Sequence, residues 1–238
     1  MNRNSNFRYI FHGFFVFLGL ACLGYLLADA LVTFKEFERS VTAKGLSERE
    51  VPADVVIWPI KFSGAANDLS GLYDTLEANT DHIEKFLFEA GIAESEVSSG
   101  TPAITDKLAQ QYNNNQLAFR FSAFKTVTVY SKNIELVRSL ISRISILGKK
   151  GIVFTGTGYE SKPQYLFTRL NEIKPEMIEE ATRNARQTAQ KFAADSQSSL
   201  GKIKRASQGQ FSITDRDLNN PHIKKIRVVS TVEYYLTD

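Results

Sequence analysis

Apolar and polar residues alternate with different periods along this chain, and the first long stretch hardly alternates at all. From Tyr9 to Ala28 no Asp, Glu, Lys or Arg occurs. A helix rises ~1.5 Å per residue, so such a run spans the ~30 Å hydrocarbon core of a bilayer. The pattern divides the chain into a short cytoplasmic N-terminus (1–8), a transmembrane anchor (9–30), a charged juxtamembrane linker (31–40) and one domain (41–238). In the anchor Phe14, Phe17, Leu20, Leu23, Leu26 and Leu27 are expected against lipid. Ala21, Gly24 and Ala28 fall at i, i+3 and i+7 and form a stripe of small residues, the kind that lets helices approach closely in a membrane. Chance spacing in an apolar run explains the same stripe.

Two other readings of this segment stay open. Arg3 and Arg8 before it and Ala28-Asp29-Ala30 at its end fit a cleavable signal, although the apolar core exceeds the ~7–15 residues usual for one. Cys22 raises lipoprotein processing, with Gly19 where such a site ordinarily has Leu. Flanking charge does not decide orientation, because Lys35, Arg39 and Lys44 follow the helix as Arg3 and Arg8 precede it.

Beyond residue 40 the period changes. Val41–Lys44 and Glu48–Val51 read as two short strands around Gly45, followed by a β-rich run from Val55 to Phe62 in which Pro59 demands an edge or a bulge. Asn67 and Asp68 are N-cap residues for a helix whose apolar stripe is Leu69, Leu72, Tyr73, Leu76, Thr80, Ile83, Leu87 and Ala90, closed by Gly91. Strands are expected over 97–105 and 117–130, the latter alternating through Phe119, Phe121, Ala123, Val127 and Val129, with a hairpin loop over 110–116 between them. Asn133 caps a second helix bearing Ile134, Val137, Ile141 and Ile144, Gly148 ends it, and 152–157 is a strand. The order β-α-β-β-α-β matches a ferredoxin-like layout. A short strand over 163–170 precedes a helix with Pro175 in its first turn and a stripe of Met177, Ile178, Ala181, Ala185, Ala189, Phe192 and Ala193. Small residues dominate that stripe, so the helix is expected close to what it covers. Two final runs, 202–214 and 223–236, read as a long hairpin joined to the sheet. In the second, Ile226, Val228, Ser230, Val232 and Tyr234 share one face and Arg227, Val229, Thr231, Glu233 and Tyr235 the other.

Charge and cysteine usage narrow the chemistry. The chain holds 29 Lys and Arg against 26 Asp and Glu, and two of the basic residues, Arg3 and Arg8, precede the anchor. The rest is close to neutral, so no nucleic-acid partner is expected. The single cysteine lies in the apolar run, which leaves the domain no disulfide and no thiol nucleophile. His82 and His222 stand far apart in sequence, and no metal or cofactor is expected. About 200 residues suffice for one substantial core or two small fused ones.

Three blocks carry a resemblance. VTAKGLSEREVPADVVI (41–57), with its Gly and Pro-x-Asp, resembles the opening of SIMPL-domain proteins. ATRNARQTAQKFAADSQSSLGKI (181–203) is similar to that family's Ala-rich helix and Leu-Gly, and IRVVSTVEYYL (226–236) to its final strand. IWPI, QYLFTRLNEIKPEMI and QGQFSITDRD further resemble a membrane-anchored bacterial branch. The resemblance implies an α+β domain in the bacterial envelope. It also implies relatives that build ring- or channel-like homo-oligomers in the periplasm, and others linked to stress tolerance. No catalytic residue set comes with it, and many relatives carry a cleaved signal where this chain has a long apolar run.

Individual polar groups have plain readings beside functional ones. Glu48, Glu50 and Asp54 lie close in sequence but read as solvated carboxylates, and His82 between Asp81 and Glu84 as a surface histidine. Lys202, Lys204, Arg205, Lys224, Lys225 and Arg227 suit anionic lipid headgroups, an acidic partner, or a charged edge that blocks sheet-to-sheet aggregation. Gly148, Gly151, Gly156 and Gly158 lack phosphate-loop spacing. A strand apolar on both faces is covered twice, so Val229, Thr231 and Tyr235 are expected to meet a second copy of the chain. The expected protein is a non-enzymatic, single-pass component of the bacterial inner membrane. Its domain is in the periplasm, and its partners are itself and the bilayer. A monomeric or dimeric periplasmic binding or adaptor module is the alternative.

Overall fold

The computed structural model describes residues 3–37, 39–109, 118–156 and 161–237, with side chains described for 13–30 and from 39 onward within those ranges. The expected hairpin loop over 110–116, Gly158, and the side chains of Phe34 and Phe37 lie outside the described residues. The apolar run forms one helix, α1 (Arg3–Phe37), which also takes in most of the expected linker. Its stretch Gly13–Ala30 is long and apolar enough to cross a membrane and has nothing packed on it among the described residues.

The remainder is an α+β arrangement, and the chain as a whole clusters into two compact units: residues 1–48, 174–211 and 227–238 in the first, and 49–173 and 212–226 in the second. The second unit is built on β2 (Val55–Ala66), α2 (Leu69–Glu89), β3 (Val97–Ser99), β4 (Ala103–Asp106), β5 (Phe121–Ser131), α3 (Ile134–Arg143), a short α4 (Ser145–Gly148), β6 (Val153–Phe154) and β7 (Gln164–Leu166). Its sheet runs β3-β5-β2-β6, with β4 also on β5 and β7 also on β2. Each of these pairings is antiparallel. That is the strand order of the split βαβ layout.

Local chemistry explains where these elements break. The strand expected over 97–105 divides at Gly100-Thr101-Pro102, where a proline removes a ladder donor. Pro59 pairs with Thr128 of β5, while on its other side β7 covers only 55–57 and β6 only 62–63. The proline therefore faces a gap between two short strands, a local edge inside the sheet. The Asp68 carboxylate caps α2 by accepting from the Gly71 N–H at 2.8 Å, while Asn67 instead accepts from the Arg120 N–H. Leu72, Leu76, Thr80, Ile83 and Leu87 are buried, but Leu69 and Tyr73 are exposed because they flank the stripe near the helix start. Gly91 takes φ +102 after the last turn, as a C′ glycine does. On α3 the fully buried pair is Val137 and Leu140, and it is Gly151, at φ +89, that turns the chain into β6.

The first unit contains most of β1 (Ser40–Pro52), α5 (Leu170–Asp195) from Lys174 onward, β8 (Ser199–Gln208) and most of β10 (Ile223–Thr237). The two short strands expected around Gly45 are one continuous strand, β1. The final hairpin does not join the ferredoxin-like sheet: β10 lies between β1 and β8 in a sheet of their own, with β9 (Ser212–Asp215) also on β10. A bulge shifts the β8 register, so that Glu233 faces Arg205 but Tyr234 faces Ile203. Helix α5 starts at Leu170, five residues before Pro175, so the proline sits inside it and deletes one backbone donor.

Met177, Ala181, Ala185, Ala189 and Ala193 are the buried stripe of α5. Phe192 is 53% exposed, since a large ring has no room beside so narrow a stripe. Ala185 and Ala189 pack with Ala43, Val232 and Tyr234. The approach is closest at Gly45, where a Cβ would overlap the carbonyl oxygen of Ala181 and the backbone nitrogen of Ala185. Backbone cannot rotate away as a side chain can. Gly45→Ala should therefore destabilise by at least ~2 kcal/mol and Ala185→Leu by ~1–3 kcal/mol, whereas Gln187→Leu, at an exposed position, should change little. Chemical denaturation of the three variants checks this order.

Candidate functional site

Three places gather the residues that bear on function: the open face of the first unit's sheet, the α1 helix, and a cavity in the second unit. On β10, Ile226, Val228, Ser230, Val232 and Tyr234 are buried, as their alternation predicts. Val229 and Thr231 point the other way and are half-buried, and Tyr235 is 38% exposed. Beside them lies an ordered polar group. The Ser40 hydroxyl donates to the Glu233 carboxylate at 2.6 Å, and the Lys204 amine lies 3.1 Å from it and 5.6 Å from the Tyr235 ring centroid. The Ser40 hydroxyl first, and then Lys204, hold Glu233 below the usual carboxylate range. The open face is thus amphipathic: a short apolar row from β10 next to a fixed charge pair.

In α1, Phe14, Phe17, Leu20, Leu23, Leu26 and Leu27 are all exposed, and so are Ala21, Gly24 and Ala28. No atom lies within 4 Å of a Cβ built at Gly24. Cys22 is a free, exposed thiol in the same helix.

The charged residues separate. Glu48 and Glu50 are exposed, and Glu50 lies 3.9 Å from Arg216. Asp54 is different: it accepts from the Thr168 N–H and hydroxyl and from the Arg169 guanidinium. Partial burial pushes its pKa up, but those donors outweigh it and hold the carboxyl below its ordinary value. His82 is exposed on α2. The basic residues do not form a uniform zone. Lys202, Lys204, Arg205 and Arg227 are exposed in the first unit, whereas Lys224 of the second is buried with its amine on the Asp215 carboxylate. Among the described residues no group of three His, Cys, Asp or Glu side chains is placed to hold a metal ion.

Lys224 and Asp215 help line a cavity of about 510 Å³ that the sequence reading did not foresee. Tyr165 and Leu166 of β7 and Ile141 of α3 form part of its apolar wall, and Leu218 stands at its rim, 98% exposed. The Tyr165 ring, 8% exposed, meets His222 edge to face at 6.0 Å. Burial, with Arg138 adding to it, pushes His222 below its usual value, and burial pushes the Tyr165 hydroxyl up. The turn between β9 and β10 is stiffly built. The Asp217 carboxylate accepts from Arg216 Nε, from the N–H groups of Asn219 and Asn220, and from the Asn220 amide. Its pKa is brought to about 2, above all by the Arg216 guanidinium, with the Asn219 and Asn220 donors adding to it against an opposing desolvation. The only sequence signal for the cavity was Lys-Lys at the head of a strand whose next residues alternate apolar and polar.

A β-rich domain with a long Ala-lined helix and C-terminal strands, carried behind one apolar helix, is the class that this architecture defines. The profile of the SIMPL family, described as a protein of unknown function (DUF541), matches residues 41–227, and the chain belongs to that family. Comparison with curated proteins finds no match.

Because Asp54 is held low in the folded state, its contribution to stability is present above the unfolded carboxylate value near 4 and is lost as pH falls through the folded value. Asp54→Asn should cost ~1–3 kcal/mol at pH 7 and flatten the acid limb of the melting-temperature profile below about pH 4. Thermal melts of wild type and variant from pH 2.5 to 7 test it; parallel acid limbs would show that Asp54 carries no such coupling.

Proposed function

We propose that this chain is a non-catalytic, membrane-tethered envelope protein that self-assembles through its SIMPL domain. The observation that carries this reading is the open face of β10. One side of the strand is filled by the α5 stripe and its neighbours, and the other carries the half-buried Val229 and Thr231 and the exposed Tyr235. A neighbouring copy is the economical cover for a row of this kind. Confinement to a membrane surface favours it further by raising the effective concentration of identical domains. On this reading α1 is an uncleaved single-pass anchor in a bacterial inner membrane and the domain is periplasmic. The family resemblance supports a ring- or channel-like assembly with a role in envelope stress tolerance, and nothing in the charge balance favours nucleic acid as a partner. The cavity beside Lys224 favours a second reading, a monomeric or dimeric binding module.

Native mass of the full chain in mild detergent separates the two. Self-assembly predicts several copies per particle, and Val229→Glu should reduce the particle to a single chain with an unchanged circular dichroism spectrum. A wild-type particle that is monomeric at tens of micromolar would overturn the assembly reading and leave the binding module. For the anchor, the expected outcomes are an N-terminus at or near Met1 and retention in membranes after a high-salt wash, since salt screens surface charge but leaves a spanning helix in place. An N-terminus at Leu31 would show cleavage instead.

A further inference from the structure

The cavity in the second unit has a chemistry that the assembly reading does not use. Its volume of about 510 Å³ lies within the ~300–1,000 Å³ range of small-molecule sites. Its described lining carries two amines, Lys224 and Lys162, against one carboxylate, Asp215. The Lys224 side chain is only 9% exposed, and its amine donates to Asp215. An ammonium has three donors, so two remain for an occupant once Asp215 has taken one. A buried charged group with unfilled donors favours whatever can accept from it. Lys162 is exposed at the mouth and makes no ion pair among the described residues. The rest of the wall is apolar: Tyr165 is almost fully buried behind it, while Leu166 at 39% and Leu218 at 98% exposure are left for an occupant to cover. Leu218 sits on a turn already fixed by the Asp217 hydrogen bonds, so covering it orders little additional backbone.

We propose that this cavity binds an apolar monocarboxylate, with the acid on Lys224 and Lys162 and the apolar body between Tyr165, Leu166 and Leu218. The net charge of the lining selects one anionic group, and the wall selects a hydrocarbon or apolar side chain. A lipid-derived acid and the C-terminal residue of a short apolar peptide share this chemistry. The proposal goes beyond self-assembly and is independent of it, because every lining residue it uses lies in the second unit and the open face of β10 is in the first.

The test titrates full-length protein in lipid nanodiscs with octanoate and with N-acetyl-leucine, using calorimetry and saturation-transfer NMR. The methyl esters of both and empty nanodiscs serve as controls. The expected result is saturable binding of at least one acid, with its ester at least about tenfold weaker. Lys224→Met should lose about tenfold or more, and Leu218→Ser and Lys162→Ala, which alter only exposed side chains, a few-fold each. Tighter octanoate assigns a lipid-type acid and tighter N-acetyl-leucine a peptide end. Either supports the proposal. Val229→Glu should leave the affinity unchanged while altering particle mass, so loss of assembly and loss of binding read out separately. The proposal is overturned if neither acid saturates at millimolar concentration. It is equally overturned if acid and ester bind alike, or if Leu218→Ser and Lys162→Ala both bind as wild type does.

Discussion

Backbone-to-backbone contact between β1 and α5 is the constraint on which the first unit depends. Gly45 has no Cβ, and the residues of α5 above it are Ala181 and Ala185, so strand and helix meet with almost no side chain between them. Dispersion falls off steeply with separation, and a packed interface of small groups gains contact density in place of buried hydrocarbon area. The large residues of this core, Val232 and Tyr234, come from β10 and fill the space next to the alanines. The second unit is built in the opposite way. Phe62, Trp58 and Ile60 on β2 interlock with leucines from α2 and with Val137 and Leu140 from α3. One chain thus uses two packing regimes, close backbone approach and bulky interdigitation, each in its own compact unit.

How much of this could be read from the sequence follows the same division. Periodicity exposed the α2 stripe, the α5 alanines and the two faces of β10, because each has one face committed to a core. The family resemblance likewise rests on the Gly45 segment, the alanine helix and the last strand, which are the parts that make the tight contact. Features set by tertiary neighbours were hidden. Pro175 suggested the start of a helix, but the chain enters that helix at Leu170, directly after Thr168 and Arg169, which donate to the distant Asp54 carboxylate. Phe192 belonged to an apolar stripe by spacing and was excluded by its size. Strand lengths were overestimated where proline and glycine broke 97–105 and where β6 kept only two residues.

The candidate sites were legible to different depths. Val229, Thr231 and Tyr235 lie on the face that alternation assigns them. Lys224 could not be recognised. In sequence it is one lysine among several near the end of the chain, and only the fold gives it a buried position, a carboxylate partner nine residues away and a cavity shared with β7. A lysine on a solvated edge and a lysine at the head of a cavity have the same local sequence; the chain segments that cross beside them make the difference.

The order in which the pieces of the first unit occur along the chain has a consequence for how it forms. Its sheet joins β1, which begins at Ser40, to β10, which ends at Thr237, with most of the other unit encoded between them. A chain made from its N-terminus exposes β1 long before its partner exists, so the strand waits with open hydrogen-bonding edges while the intervening residues emerge and compact. Pairings of such long range are slow to form, and an unpaired edge is a template for the wrong neighbour. With Lys44 and Glu48 exposed along the waiting strand, like strands carry charge into any premature pairing. Formation of the first unit is therefore gated by β10: until that strand arrives, its sheet has no centre.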